Sequence, residues 1–265
     1  MEIILIFFAF ILVMIATTIP TSKRKDMSWM KGVSSHRGWY QKDQSVAENS
    51  MTAIRKSIDM HLDIELDVRI TADQKLIVFH DKTLERMCDV DLDVEASSFE
   101  ELSKFDLGKG HDRIPLFIEV LKEIAGKVNL IIEIKPTKRV DEVCSLLSDE
   151  LDGYNGKFAV CSFDPKIIAW FRKNKPHYIR GQIIMSFLND ARLPWINRIL
   201  LSINGFNFNT RSDFVSVHYS IVHLFTWMRV FKGVVCTWTI SDNHWYTKLY
   251  GKVDHLIIEH IDHVK

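Results

Sequence analysis

Eight short runs rich in β-branched and other apolar residues alternate with longer stretches of helical period. They are Val33–His36, Ile64–Val68, Leu130–Ile134, Phe158–Ser162, Gly181–Met185, Phe214–Val217, Val234–Ile240 and His255–Glu259. This alternation constrains the fold more than any other feature, because strands separated by helices pair in parallel and eight of them can close on themselves. The intervening stretches carry helix signals. Ser50 is placed to cap a helix that buries Met51, Ile54 and Ile58. Ser98-Phe-Glu-Glu101 is a capping-box pattern, and Asp164-Pro165 opens a helix with Ile167, Ile168 and Phe171 on its inner face. The sequence therefore predicts a (β/α)8 TIM barrel. No Gly/Ser/Pro-rich linker divides it, so residues 26–265 read as one domain.

Residues 64–80 break the alternation. Two strand patterns lie on either side of Ala72-Asp73-Gln74, a connector far too short for a parallel crossover. The second arm is therefore expected to fold back as an antiparallel hairpin. A turn centred on Asp73-Gln74 would set Asp67 roughly opposite His80 and return His80 to the carboxyl end of the barrel, where barrel enzymes keep their chemistry.

Charges interrupt two of the most apolar runs. Glu65 and Asp67 are two apart on one strand, and Glu133 and Lys135 repeat that spacing on another, so each pair shares a face. Such charges are costly to bury unless paired or bound to a metal. Each pair alone reads evenly as functional or as structural, the structural reading being a salt bridge inside the barrel or charges reaching solvent at its rim. His36 and His80 each close a strand beside these carboxylates, whereas His61, His111, His177, His244 and His263 read as surface residues.

The set in this order resembles the glycerophosphodiester phosphodiesterase family. His36-Arg37-Gly38 matches the family's opening signature, and Ala47-Glu-Asn-Ser50 resembles its Pro-Glu-Asn-Thr segment. Glu65-Leu-Asp67-Val, Val78-Phe-His80-Asp81, Ile132-Glu133-Ile-Lys135-Pro, Ser162-Phe163-Asp-Pro165 and Thr237-Trp238-Thr-Ile follow in the family's order. The resemblance implies that Glu65, Asp67 and Glu133 hold one divalent cation, and three hard oxygen donors favour Mg2+ or Ca2+. It implies further that Arg37 and Lys135 bind the substrate phosphate and that His36 and His80 divide the acid and base roles. Trp238 is either barrel packing or a wall of the glycerol pocket. The substrate's own 2-hydroxyl is also an admissible first nucleophile, with water opening a cyclic phosphate afterwards. The implied activity is hydrolysis of a glycerophosphodiester to glycerol 3-phosphate and an alcohol. Cleavage of a lysophospholipid or sphingolipid is the alternative. A non-catalytic barrel would have lost one of these residues, and all are present. The family's C-terminal Ile-Ile-Thr-Asp-x-Pro is here Ile257-Ile-Glu-His260, a change expected to touch substrate detail and to spare the metal and proton-transfer positions.

From Ile3 to Ala16 the sequence is apolar and uncharged, continuing through Thr17-Thr-Ile-Pro20, and Lys23-Arg-Lys25 follows. Residues 1–25 therefore read as an N-terminal transmembrane helix with a basic flank. That flank favours the catalytic domain on the cytoplasmic face. The apolar stretch Ile221–Phe231 reads as an amphipathic helix after the seventh strand, or as a segment near lipid. The chain has 34 basic and 34 acidic residues and no basic stripe, which argues against nucleic acid as partner. Its four scattered cysteines read as buried thiols rather than a metal or disulfide framework.

Overall fold

The computed structural model describes residues 17–20 and 25–261. The strands are β1 (Gly32–His36), β2 (Asp63–Ile70), β3 (Leu76–Val78), β4 (Leu130–Ile134), β5 (Phe158–Ser162), β6 (Ile179–Ile184), β7 (Phe214–His218), β8 (Val234–Ile240) and β9 (His255–Ile258). All but β3 are parallel to their neighbours, and β1 pairs with both β9 and β2, which closes the barrel. The helices are α1 (Met51–Asp59), α2 (Glu85–Cys88), α3 (Phe99–Leu102), α4 (Phe117–Ile124), α5 (Val140–Leu151), α6 (Pro165–Asn174), α7 (Trp195–Ser202), α8 (Asn207–Thr210) and α9 (Asn243–Leu249).

The helix signals act where the sequence puts them. The Ser50 hydroxyl accepts from the Ala53 amide, the Ser98–Glu101 capping box is formed in both directions, and Asp164 caps α6 behind Pro165. Ile167, Ile168 and Phe171 are buried. With Ile54, Val120, Leu121, Leu147 and the outward-facing Leu66, Val68, Ile132 and Val160 they form one continuous core between the helices and β2–β5. Each fully buried aliphatic side chain there contributes about 1.5–3 kcal/mol. Alternate residues of the strands fill the barrel interior, whose amino end is plugged by Met27, Trp29 and Met30.

β2 and β3 form the antiparallel hairpin, but its register is one residue from the expected one. Val68 pairs with Val78, and the Phe79 amide donates to the Asp67 carbonyl, so Phe79 stands opposite Asp67. The cause is Gln74, which takes a left-handed conformation (φ 61°) and centres the turn on Asp73. Phe79 packs into a cluster with Ala47, Ile77 and Leu84, and His80 lies just past the last rung.

Residues 221–231 are not an α-helix: they form two 3-10 segments, Val222–Leu224 and Thr226–Phe231. Aromatic and β-branched residues dominate this short stretch, and they are poor helix formers. Residues 1–16, which hold most of the expected transmembrane helix, lie outside the described residues. Among the described residues no helix is long and apolar enough to cross a membrane. Thr17–Pro20 lie against the barrel. Asn207 Nδ2 donates to the carbonyls of Thr17 and Ile19, and Asn204 Nδ2 donates to that of Thr18. Lys25, expected in the basic flank, instead serves the barrel's amino end, where it bonds Asp213 and the Tyr178 carbonyl, each at 2.6 Å. The four cysteines are free, and all but Cys88 are buried.

Candidate active site

β1 delivers His36 to the carboxyl end of the barrel, and the chain then turns sharply through Arg37 (φ 56°) and Gly38 (φ 77°). A Cβ at Gly38 would lie 2.9 Å from the Ala53 carbonyl carbon, so only glycine lets α1 pack this close. The turn aims the Arg37 amide at Glu65 Oε2, 3.2 Å away. β2 carries Glu65 and Asp67 inward, and Asp67 is the register partner of Glu133 on β4. Ligand atoms of Glu65, Asp67 and Glu133 all lie within 4.8 Å of one another, and the three residues are buried.

Two cations answer these carboxylates. Lys135 Nζ lies 2.6 Å from Glu133 and 3.3 Å from Asp67, and Arg37 Nε lies 3.3 Å from Asp67. Asn49 Nδ2 adds a hydrogen bond to Asp67 at 2.9 Å. Burial alone would raise the Asp67 pKa, but Lys135, Arg37 and His80 outweigh it and hold the group far below the usual carboxylate range. Glu65 goes the other way. Burial, then repulsion from Asp67 and Glu133, pushes its pKa well up. Three carboxylates against two cations leave an excess of negative charge. This all-oxygen donor set therefore fits a hard divalent cation.

The two imidazoles line the same cavity as Glu65, Glu133 and Lys135. Each donates through Nδ1 to its own carboxylate. His80 uses the adjacent Asp81 at 2.6 Å, whereas His36 uses Glu259, at the end of β9, at 2.8 Å. Tyr40 also donates to Glu259 at 2.6 Å. Burial lowers the His36 pKa more than Glu259 raises it, which favours neutral imidazole. Burial would raise Glu259, but its bonds to His36 and Tyr40 bring it down to about 2. Behind His80, Arg86 bridges Asp81 and Glu48, and Glu48 in turn accepts from Arg37 Nη1 at 2.6 Å. The remaining wall is less polar: Cys161, Phe163, Ile183, Ser216, Trp238 and Ile257. Trp238 packs edge-on to Phe163 at 5.5 Å, so it is both a packing residue and a wall. The cavity has a volume of about 70 Å³.

Every residue singled out from the sequence thus comes to this cavity or its immediate edge. Arg37 is partly engaged by Glu48 and Asp67 rather than free for a ligand. His61, His111, His177 and His244 are exposed, as read from the sequence. Four supporting residues were missed. Glu48 and Asn49 lie in the Ala47–Ser50 segment, which resembles a family motif but was given no site role, although their side chains hold Arg37 and Asp67. Asp81 was visible as the neighbour of His80. Glu259 lies in the altered C-terminal segment, which was expected to touch only substrate detail, yet it bonds His36 directly.

The model of the glycerophosphoryl diester phosphodiesterase family matches residues 36–263. A glycerophosphodiester phosphodiesterase of Caldanaerobacter subterraneus subsp. tengcongensis is 29% identical over 210 residues, 74% of this chain and 84% of that protein. A human lysophospholipase D is 29% identical over 140 residues, 47% of this chain and 43% of that protein. Among solved structures, an Oleispira antarctica phosphodiesterase in complex with the product sn-glycerol-3-phosphate superposes with a TM-score of 0.73. It is 22% identical, covering 89% of this chain and 95% of that one.

Proposed function

This chain belongs to the glycerophosphoryl diester phosphodiesterase family and is a phosphoric diester hydrolase; from that premise we propose that it cleaves glycerophosphodiesters to glycerol 3-phosphate and an alcohol. Glu65, Asp67 and Glu133 hold one Mg2+ or Ca2+ in this reading. Bound there, the cation supplies a Lewis acid for a phosphoryl oxygen and offsets charge building on phosphorus. Lys135 adds a point charge on the same side, and Arg37 fixes the turn that carries His36.

One observation supports the reading most. Two imidazoles from distant parts of the chain, each with Nδ1 engaged by its own carboxylate, line one cavity with three carboxylates and a lysine. With Nδ1 engaged, each presents Nε2 to the substrate. His36, buried and neutral, takes the proton of the nucleophile, which is water or else the substrate's 2-hydroxyl followed by water that opens the cyclic phosphate, and Glu259 steadies the imidazolium that forms. His80, held by Asp81, returns a proton to the leaving alkoxide. The test is a panel of glycerophosphodiesters turned over by the full chain, before and after metal removal. Loss of activity on chelation and recovery with Mg2+ or Ca2+ are expected. Undiminished turnover after metal removal would overturn the metal assignment.

A lysophospholipid is the second reading for the substrate, favoured by the apolar wall of Phe163, Ile183 and Trp238. In that case lysophosphatidylcholine outcompetes glycerophosphocholine in the same panel. We propose also that the apolar run Ile3–Ala16 tethers the enzyme to a membrane with the barrel on the cytoplasmic side.

A further inference from the structure

The barrel's outer surface is lopsided. Twelve large apolar side chains are exposed among the described residues, and ten of them fall between Met185 and Phe231. They fall in the two connections that follow β6 and β7. On α7, Trp195, Ile199 and Ile203 recur every four residues with Ile196 beside them, so they share one face. Trp195 is 68% exposed and Ile196 51%. Phe208 on α8 and Phe231 (60% exposed) at the end of the second 3-10 segment are exposed as well. An apolar surface so concentrated marks a contact.

Charge and chain path identify the partner. Residues 185–233 contain five basic residues (Arg192, Arg198, Arg211, Arg229, Lys232) against Asp190 and Asp213, in a protein whose net charge is zero. Arg192 is paired with Asp190 and Arg229 with Asp254, and Asp213 is buried against Lys25, so the excess rests on Arg198, Arg211 and Lys232. A second copy meeting this face across a two-fold axis would set positive charge against positive charge. An anionic lipid surface would not. The chain path agrees, since the uncharged run Ile3–Ala16 leads directly into Thr17. The Thr17, Thr18 and Ile19 carbonyls are held by Asn204, just after α7, and Asn207, which opens α8. A lipid-embedded N-terminal run would therefore bring α7 and α8 to the bilayer.

We propose that the α7–α8 flank is a membrane-docking face that lies on an anionic bilayer, with Trp195 at the headgroup level and the isoleucines and Phe208 toward the acyl chains. A helix lying in the interface gains from apolar burial and from nearby basic residues together, the latter about 1 kcal/mol each. The inference rests on the tether proposed above, and the experiment reads the two separately.

The full chain is reconstituted with phosphatidylcholine vesicles, with and without phosphatidylglycerol. Flotation reads the tether, and amide hydrogen exchange over residues 193–210 reads the face. Exchange about tenfold slower on anionic vesicles than in detergent is expected, as is quenching by brominated lipid that falls when Trp195 is replaced by Phe. The variant Ile199→Glu/Ile203→Glu should still float and turn over soluble glycerophosphodiester as before, but lose the exchange protection. Such unchanged turnover also shows that the variant is folded. A chain that floats without protection of 193–210 overturns the face and leaves the tether standing. Failure to float overturns both. Protection that is equal on neutral vesicles and rises with protein concentration also overturns the proposal, by assigning the face to a second copy.

Discussion

The barrel's two halves are built differently. Around β2–β5, helices α1, α4, α5 and α6 bury complete apolar stripes in one continuous core and turn polar faces outward. Around β6–β9 the covering elements are short or 3-10, and α7 leaves much of its apolar face exposed. The inner surfaces differ in the same way. The hairpin half supplies Glu65, Asp67, His80, Glu133 and Lys135, whereas the later half supplies Ile183, Ser216, Trp238 and Ile257. Charge chemistry is thus concentrated in the half with the firmest support, where misplacement of a carboxylate is most costly. The later half provides a wall and an outer contact. One residue crosses this division: Glu259, a late carboxylate serving an early histidine.

The largest effect should come from the hairpin half. Glu65→Gln removes a carboxylate from the cation site and should cost ~10³-fold in turnover, since several kcal/mol of transition-state stabilisation are at stake. Trp238→Ala, from the opposite wall, should instead act mainly on KM and on the choice of leaving alcohol. Steady-state kinetics on the two variants tests the division directly. Equal losses in kcat would break it.

The next effect separates the histidines. His36→Ala and His80→Ala should each lose at least ~100-fold with a natural type of substrate, the usual scale for a general acid or base. A p-nitrophenyl phosphodiester has a good leaving group and needs little protonation, so it should rescue His80→Ala and leave His36→Ala impaired. The reverse rescue would exchange the two roles. Losses of only a few-fold in both would make the histidines structural.

The sequence revealed the hairpin half far better than the later one, for physical reasons. Carboxylates that interrupt buried apolar strands stand out because burial makes them expensive, so Glu65, Asp67 and Glu133 were visible individually, and strand ends pointed to His36 and His80. The hairpin was legible from its short connector, but its register depended on the left-handed conformation of Gln74, which a non-glycine residue does not announce. Glu48 and Asn49 were in view as part of a motif, yet nothing local announced a role for them, because their ties to Arg37 and Asp67 are tertiary. Glu259 had no local signal. It lies 223 residues from His36, and only closure of β9 onto β1 brings the two together.

The smallest effect follows from that pair and tests the comparison where the halves meet. Glu259→Gln keeps a hydrogen-bond acceptor for His36 Nδ1 and for Tyr40 but removes the negative charge. At present burial lowers the His36 pKa and Glu259 partly restores it. Without that charge the imidazolium loses support, so the His36 pKa should fall further, and the acidic limb of the rate–pH profile should move to lower pH. The same loss raises the barrier to forming imidazolium in the transition state. Turnover above the acidic limb should fall about tenfold for each unit the pKa drops, since one unit is 1.36 kcal/mol. Glu259→Thr, which restores the residue of the family's usual C-terminal motif, removes the acceptor geometry as well and should be at least as impaired. A merely structural Glu259 would change stability or KM and leave the acidic limb in place. In that event His36 works without its distant carboxylate, and the later half of the barrel contributes only wall and surface.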